Sequence, residues 1–159
     1  MAIEKNELRR VMGHFATGVT VITSRRSSGE LHGLTANAFT SVSLIPPLAL
    51  ICVDKKAESY PCFEESKIFT VNVLASHQEA LSRKFAVSGG NKFEGVAYTL
   101  GANDAPILEG ALAYLECKVT TTIDGGDHTI YLGEIEQAET SAEGKPLLFF
   151  RGGYREIGD

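Results

Sequence analysis

Apolar and polar positions change period several times along this chain. Over Glu4–Phe15, the residues Leu8, Val11, Met12 and Phe15 fall at i, i+3, i+4 and i+7. That is one stripe of an amphipathic helix, weakened at its end by Gly13. From Thr17 to Ser24 the composition turns β-rich, with Val19 and Val21 alternating against Thr20 and Thr23. Ser27-Ser28-Gly29-Glu30 is a turn, so Leu31–Ala38 is expected to pair back as a hairpin. Pro46-Pro47 is expected to stop any ladder and to start Leu48–Val53, a fully apolar strand. A polar loop follows over Asp54–Ser59. Pro61 then falls in the first turn of a short helix, where its missing N–H costs little. Ile68–Leu74 reads as a strand, and Gln78–Phe85 as a helix with Leu81 and Phe85 on one face. Val87–Asn91 is a Ser/Gly-rich loop, and Phe93–Leu108 reads as irregular. Ala113–Ile123 is a long strand, closed by the hairpin turn Asp124-Gly125-Gly126-Asp127. His128–Glu139 returns antiparallel, Ser141–Lys145 turns again, and Pro146–Phe150 is the last strand.

Many strands, tight turns and few helices predict an antiparallel β-barrel capped by helices. Regular strand–helix alternation is missing, which argues against a Rossmann domain. Neither Gly-x-Gly-x-x-Gly nor a Walker A sequence occurs. A nicotinamide cofactor would have to be held by other means. The length of 159 residues suits one domain over 1–159 with its own core.

Charge and cysteines narrow the function classes. The net charge of -5 opposes broad binding to nucleic acid or an anionic membrane. No apolar run reaches the ~20 residues that cross a bilayer. The N-terminus is polar and acidic, unlike a secretory signal, so a cytoplasmic protein is expected. Cys52, Cys62 and Cys117 are odd in number and lack C-x-x-C spacing. They read as buried free thiols. The four histidines form no metal-ligand motif.

The candidate chemistry lies between Thr35 and Ser59. Thr35, Ala36, Asn37 and Ala38 pair small side chains with an amide that both donates and accepts. Ser41, Val42 and Ser43 add hydroxyls nearby. Such a surface suits a planar, hydrogen-bonding ring; an edge strand running into a Ser-rich turn is the plainer reading of the same residues. Lys55, Lys56 and Ser59 are candidates for a phosphate, with Ser82, Arg83 and Lys84 as a second group. Asn72 is a polar amide in mid-strand and needs a specific partner.

The run GLTANAFTSVSLIPPLALICVD (Gly33–Asp54) resembles the flavin reductase family, the small partner components of two-component flavin-dependent monooxygenases. Further matches follow in order: MGHFATGVTV (Met12–Val21), FTVNVL (Phe69–Leu74), LSRKFA (Leu81–Ala86), GDHTI (Gly126–Ile130) and Tyr154. One departure is Ile45, where the family often carries an acidic residue before the two prolines. The resemblance implies a mainly β fold, an antiparallel Greek-key split β-barrel of the FMN-binding type, assembled as a homodimer. It implies hydride transfer from NADH or NADPH to FMN or FAD, and delivery of reduced flavin to a separate monooxygenase. Carried onto this chain, the cofactor residues are Thr35–Ala38, Ser41–Ser43, Cys52, Val53, Asp54, Lys55, Lys56, Ser59, Asn72, Ser82, Phe85, Ala86, His128 and Tyr154. His128 is expected to position the nicotinamide, and Tyr154 to close over the cofactor. The alternatives are a flavin-binding electron carrier or storage protein without NAD(P)H turnover, or a reductase delivering electrons to ferric complexes.

Overall fold

The computed structural model describes residues 2–141 and 143–158. Of the turn expected over Ser141–Lys145, Ala142 lies outside the described residues. The helix α1 (Lys5–Met12) is followed by strands β1 (Thr17–Gly18), β2 (Thr20–Arg25), β3 (Leu31–Ala36), β4 (Phe39–Leu44) and β5 (Pro47–Asp54). Then come α2 (Tyr60–Ser66), β6 (Ile68–Val73) and, after a 3₁₀ turn, α3 (Glu79–Phe85). The remainder is β7 (Tyr98–Leu100), β8 (Pro106–Leu108), β9 (Ala113–Gly125), β10 (His128–Thr140), β11 (Leu147–Phe150) and β12 (Gly153–Glu156).

Seven strands form one sheet in the order β3-β2-β6-β9-β10-β5-β4, and every pairing is antiparallel. Its two edge strands, β3 and β4, are consecutive in the chain and joined only through Asn37 and Ala38. A short link cannot span the width of a flat sheet. The sheet therefore rolls until its edges approach, giving a barrel left open along one seam. At that seam the Cys52 N–H donates to the Ala38 carbonyl (3.1 Å), and the Thr20 hydroxyl donates to the Ala36 carbonyl (2.6 Å). Ile22, Ile51, Phe63, Phe69, Val71 and Tyr131 fill the barrel interior. A second cluster around Val21, Leu74, Phe85, Phe93 and Leu147 packs α3 and the strands β8 and β11 onto its outside.

Several expectations change. Pro46-Pro47 does not stop the ladder: Pro47 opens β5 and pairs with Leu44 across a tight turn. Ser41, Val42 and Ser43 are not a turn but the middle of edge strand β4. A register shift between Ser41 and Ser43 leaves Val42 as the bulged residue. The stretch read as irregular contains the hairpin β7–β8. The chain continues past β11 into β12 through a turn with both Arg151 (φ 52°) and Gly152 (φ 74°) in the left-handed region. Helix α1 forms, but it buries none of its residues.

Candidate active site

The seam opens onto a groove of about 390 Å³. One wall is the end of β3 and the link beyond it, Thr35 to Ala38. The opposite wall is Cys52 and Asp54 from β5, with His128 at the start of β10. Lys56 and Ser59 border it from the loop before α2, and Phe85 and Ala86 from the end of α3. These predicted residues come together from five separate segments of chain.

Local sequence explains how each wall is held. The Thr35 hydroxyl donates to the Ser82 carbonyl (2.5 Å), tying β3 to α3. Asp54 accepts the Lys56 N–H (2.8 Å), an Asx turn that shapes the loop. The buried Ser59 hydroxyl donates to the Gly33 carbonyl (3.3 Å). Gly33 is required there, because an added Cβ would lie 2.8 Å from the Phe85 ring. The His128 ring is bonded through Nδ1 to Asp127 (2.7 Å), which holds the Asp127 carboxyl below its ordinary range. Burial pushes the Cys52 thiol up, so that residue brings a neutral thiol to its wall of the groove.

What remains unspent faces the groove. Asn37 is exposed, and its side-chain amide makes no hydrogen bond among the described residues. Lys56 is exposed, with no carboxylate within 4 Å among them. A groove lined by small side chains, with an amide and an ammonium that have no partner among the described residues, fits a planar ring with a hydrogen-bonding edge and an anionic tail. A flavin has that form.

Other predicted residues stand elsewhere. Ser41, Val42 and Ser43 lie on β4 outside the groove lining. Val53 is buried, with its side chain in the core. Lys55 is bound to Asp124 in an ion pair. Asn72 is fully buried. Its amide donates to the Val21 carbonyl (3.1 Å), and its oxygen accepts the Leu108 N–H (2.9 Å). It ties β6 to β2 and β8, away from the groove. Ser82 is buried and bonded through its hydroxyl to the Tyr154 hydroxyl (2.7 Å). Tyr154 therefore braces α3 instead of covering the groove, with Arg83 over its ring at 4.8 Å.

Sequence reasoning missed Leu34, Ala57, Glu58, Val87, Ser88 and Lys92, which also line the groove. Glu58 accepts the Gly89 N–H (2.8 Å) and so draws the Ser/Gly-rich loop over one side. That loop was visible as a composition shift, but its landing point was not.

A profile described as flavin reductase-like domain matches residues 12–158. An NADH-dependent FAD reductase of Streptomyces globisporus is 44% identical over 159 aligned positions, covering 97% of this chain and 86% of the relative. The reductase subunit of a flavin-dependent monooxygenase of Rhodococcus jostii is 39% identical over 156 positions, covering 98% of this chain and 80% of the relative. The structure of the Streptomyces globisporus C-1027 NADH:FAD oxidoreductase in complex with NAD and FAD fragments superposes with a TM-score of 0.93 at 44% identity. It covers 98% of this chain and 93% of its own.

Proposed function

The chain belongs to the flavin reductase-like domain family, and from that membership we propose that it is an NAD(P)H:flavin oxidoreductase built as one domain. Reduced flavin would pass to a separate monooxygenase, as the name of the Rhodococcus relative implies for that protein. The observation that carries this reading is the seam groove, which both the Asn37 amide and the Lys56 ammonium line, each without a partner among the described residues.

The bound cofactors supply the chemistry, a hydride passed from the dihydronicotinamide to flavin N5. The protein's part is placement. Thr35–Ala38 give a wall that small side chains keep open. Asn37 presents a donor and an acceptor to a ring edge. Lys56 meets an anionic tail. His128, held by Asp127, borders the groove and would position the nicotinamide for hydride transfer. No strong base is required at the donor carbon.

The reading includes a homodimer. The apolar stripe of α1 is left uncovered, with Val11 49% and Met12 62% exposed, and Phe15 beyond it at 75%. Leu44 and Ile45, at the tip of the β4–β5 hairpin, are 89% and 95% exposed. Surfaces of this kind mark association sites. It also includes a cytoplasmic setting, supported by three cysteines that are all free. No helix among the described residues is long and apolar enough to cross a membrane.

The test is oxidation of NADH and NADPH by purified protein, with and without added FMN, FAD and riboflavin. Flavin-dependent oxidation is the expected result. Flavin binding with no pyridine-nucleotide oxidation would return the molecule to the carrier class.

A further inference from the structure

Between the end of α3 and the β7–β8 hairpin the chain forms an arch beside the groove. Its two feet are the buried rings of Phe85 and Phe93, packed edge to face with centroids 5.0 Å apart. Lys92 ties the same feet down. Its Nζ donates to the Phe85 carbonyl (3.4 Å) and to the Gly33 carbonyl of β3 (3.3 Å). Loops whose ends are held this closely can move between fixed feet without disturbing the elements that carry them.

The arch itself, residues 86–91, is exposed throughout. Across residues 87–90, one hydrogen bond reaches the rest of the molecule among the described residues: the Gly89 N–H donates to the Glu58 carboxylate (2.8 Å). Gly89 and Gly90 take φ of 92° and 69°, and a Cβ at either would meet nothing within 4 Å. The glycines therefore serve backbone conformation and not close packing. An exposed segment with a single polar tie opens at low free energy.

That tie stands where a ligand must pass. Val87 and Ser88 line the groove, and Gly90 and Asn91 line an adjoining cavity of about 480 Å³. Glu58 borders both spaces. The bond joins two protein groups and needs no ligand atom.

Resting on the flavin reading above, we infer that residues 86–91 gate the groove and that the Glu58–Gly89 bond is the latch, setting how fast flavin enters and leaves but not how tightly it is held. A latch broken and remade at each exchange scales entry and exit together, so it cancels from Kd.

The test is stopped-flow binding of riboflavin and of FMN to the full chain, comparing wild type, Glu58→Ala, Glu58→Gln and Gly89→Ala. Both Glu58 variants lose the charge, but only glutamine keeps an oxygen for the Gly89 N–H. Entry and exit rates in Glu58→Ala are expected to exceed those in Glu58→Gln by about fivefold, the scale of one exposed hydrogen bond, with Kd within about twofold. Gly89→Ala penalises the left-handed backbone of the closed arch and is expected to raise both rates over wild type. Glu58 is exposed, so its variants leave the core intact. Equal rates in the two Glu58 variants overturn the inference. So does a faster exit alone with Kd weakened to match, which would make Glu58 a contact to the ligand. Wild-type protein that binds no flavin overturns the functional reading itself, and the gate with it.

Discussion

His128 and Asn72 are both polar residues on or beside the central strands, yet the structure gives them opposite settings. The His128 ring stands at the groove with its other nitrogen directed away from Asp127. His128→Ala should lower kcat/KM for NADH by about tenfold or more, the scale expected for lost positioning, with flavin affinity within about twofold. Stopped-flow reduction beside a flavin titration separates the two effects. An unchanged NADH efficiency would remove His128 from the site. Asn72 is committed to Val21, Thr23 and Leu108. Asn72→Ala leaves buried groups unpaired and a small void, and should cost ~2–4 kcal/mol in a urea unfolding curve. Flavin affinity of the folded fraction should hold; a tenfold loss would restore Asn72 to the site. At this scale the sequence shows which residues are unusual but not which way they face. Asn72 stands out as polar in mid-strand whether it binds a cofactor or a backbone. Lys92 carries no such mark, because its partners, Gly33 and Phe85, are brought to it only by folding.

At the level of elements, α2 is fastened to the barrel by several polar contacts, from Tyr60 to Thr129, Glu65 to Arg26, Ser66 to Ser24 and Glu64 to Tyr131. The Tyr131 hydroxyl, buried under the helix, donates to Glu64 (2.5 Å), and this bond holds the Glu64 carboxyl below the usual range. A carboxylate whose folded pKa is depressed adds stability above its unfolded value, and that stability is lost as pH falls through the folded value. Tyr131→Phe should therefore lower the Tm clearly at pH 7, with the gap to wild type narrowing on acidification below about pH 4. A gap that does not depend on pH would assign the loss to packing alone. Elements with strong internal patterns were legible beforehand: β9, β10 and their Gly-rich turn, β6, and the Pro-led α2. The β11–β12 turn was not, since Arg151 in left-handed backbone gives no usual turn signal. Strand β4 was obscured because Ser41 and Ser43 flank a bulge, so its polar residues do not alternate cleanly.

For the molecule as a whole, the barrel class followed from short strands without helical alternation, while the rolling of the sheet depends on a link that composition does not reveal. Helix α1 shows the same limit. Its stripe was legible as periodicity, but the sequence implied burial, and within one chain the stripe stays in solvent. A second copy would complete it. Leu44→Glu combined with Ile45→Glu should shift the mass measured by light scattering from dimer to monomer. These side chains are so exposed that the protomer should keep its own Tm. A wild-type monomer would contradict the dimer reading at once.

The seam where β3 meets β4 has one further consequence. These strands are the two edges of the large sheet among the described residues, and Asn37–Ala38 clasps them at a single end. A ligand seated there acts as a second fastener between edges that share no ladder. Its occupancy should slow amide hydrogen exchange along both strands, including positions it does not touch. It should also raise unfolding stability by about 2.7 kcal/mol at a hundredfold excess over Kd. The reductase would thus loosen along one line each time it gives its flavin away, coupling release of product to breathing of the barrel.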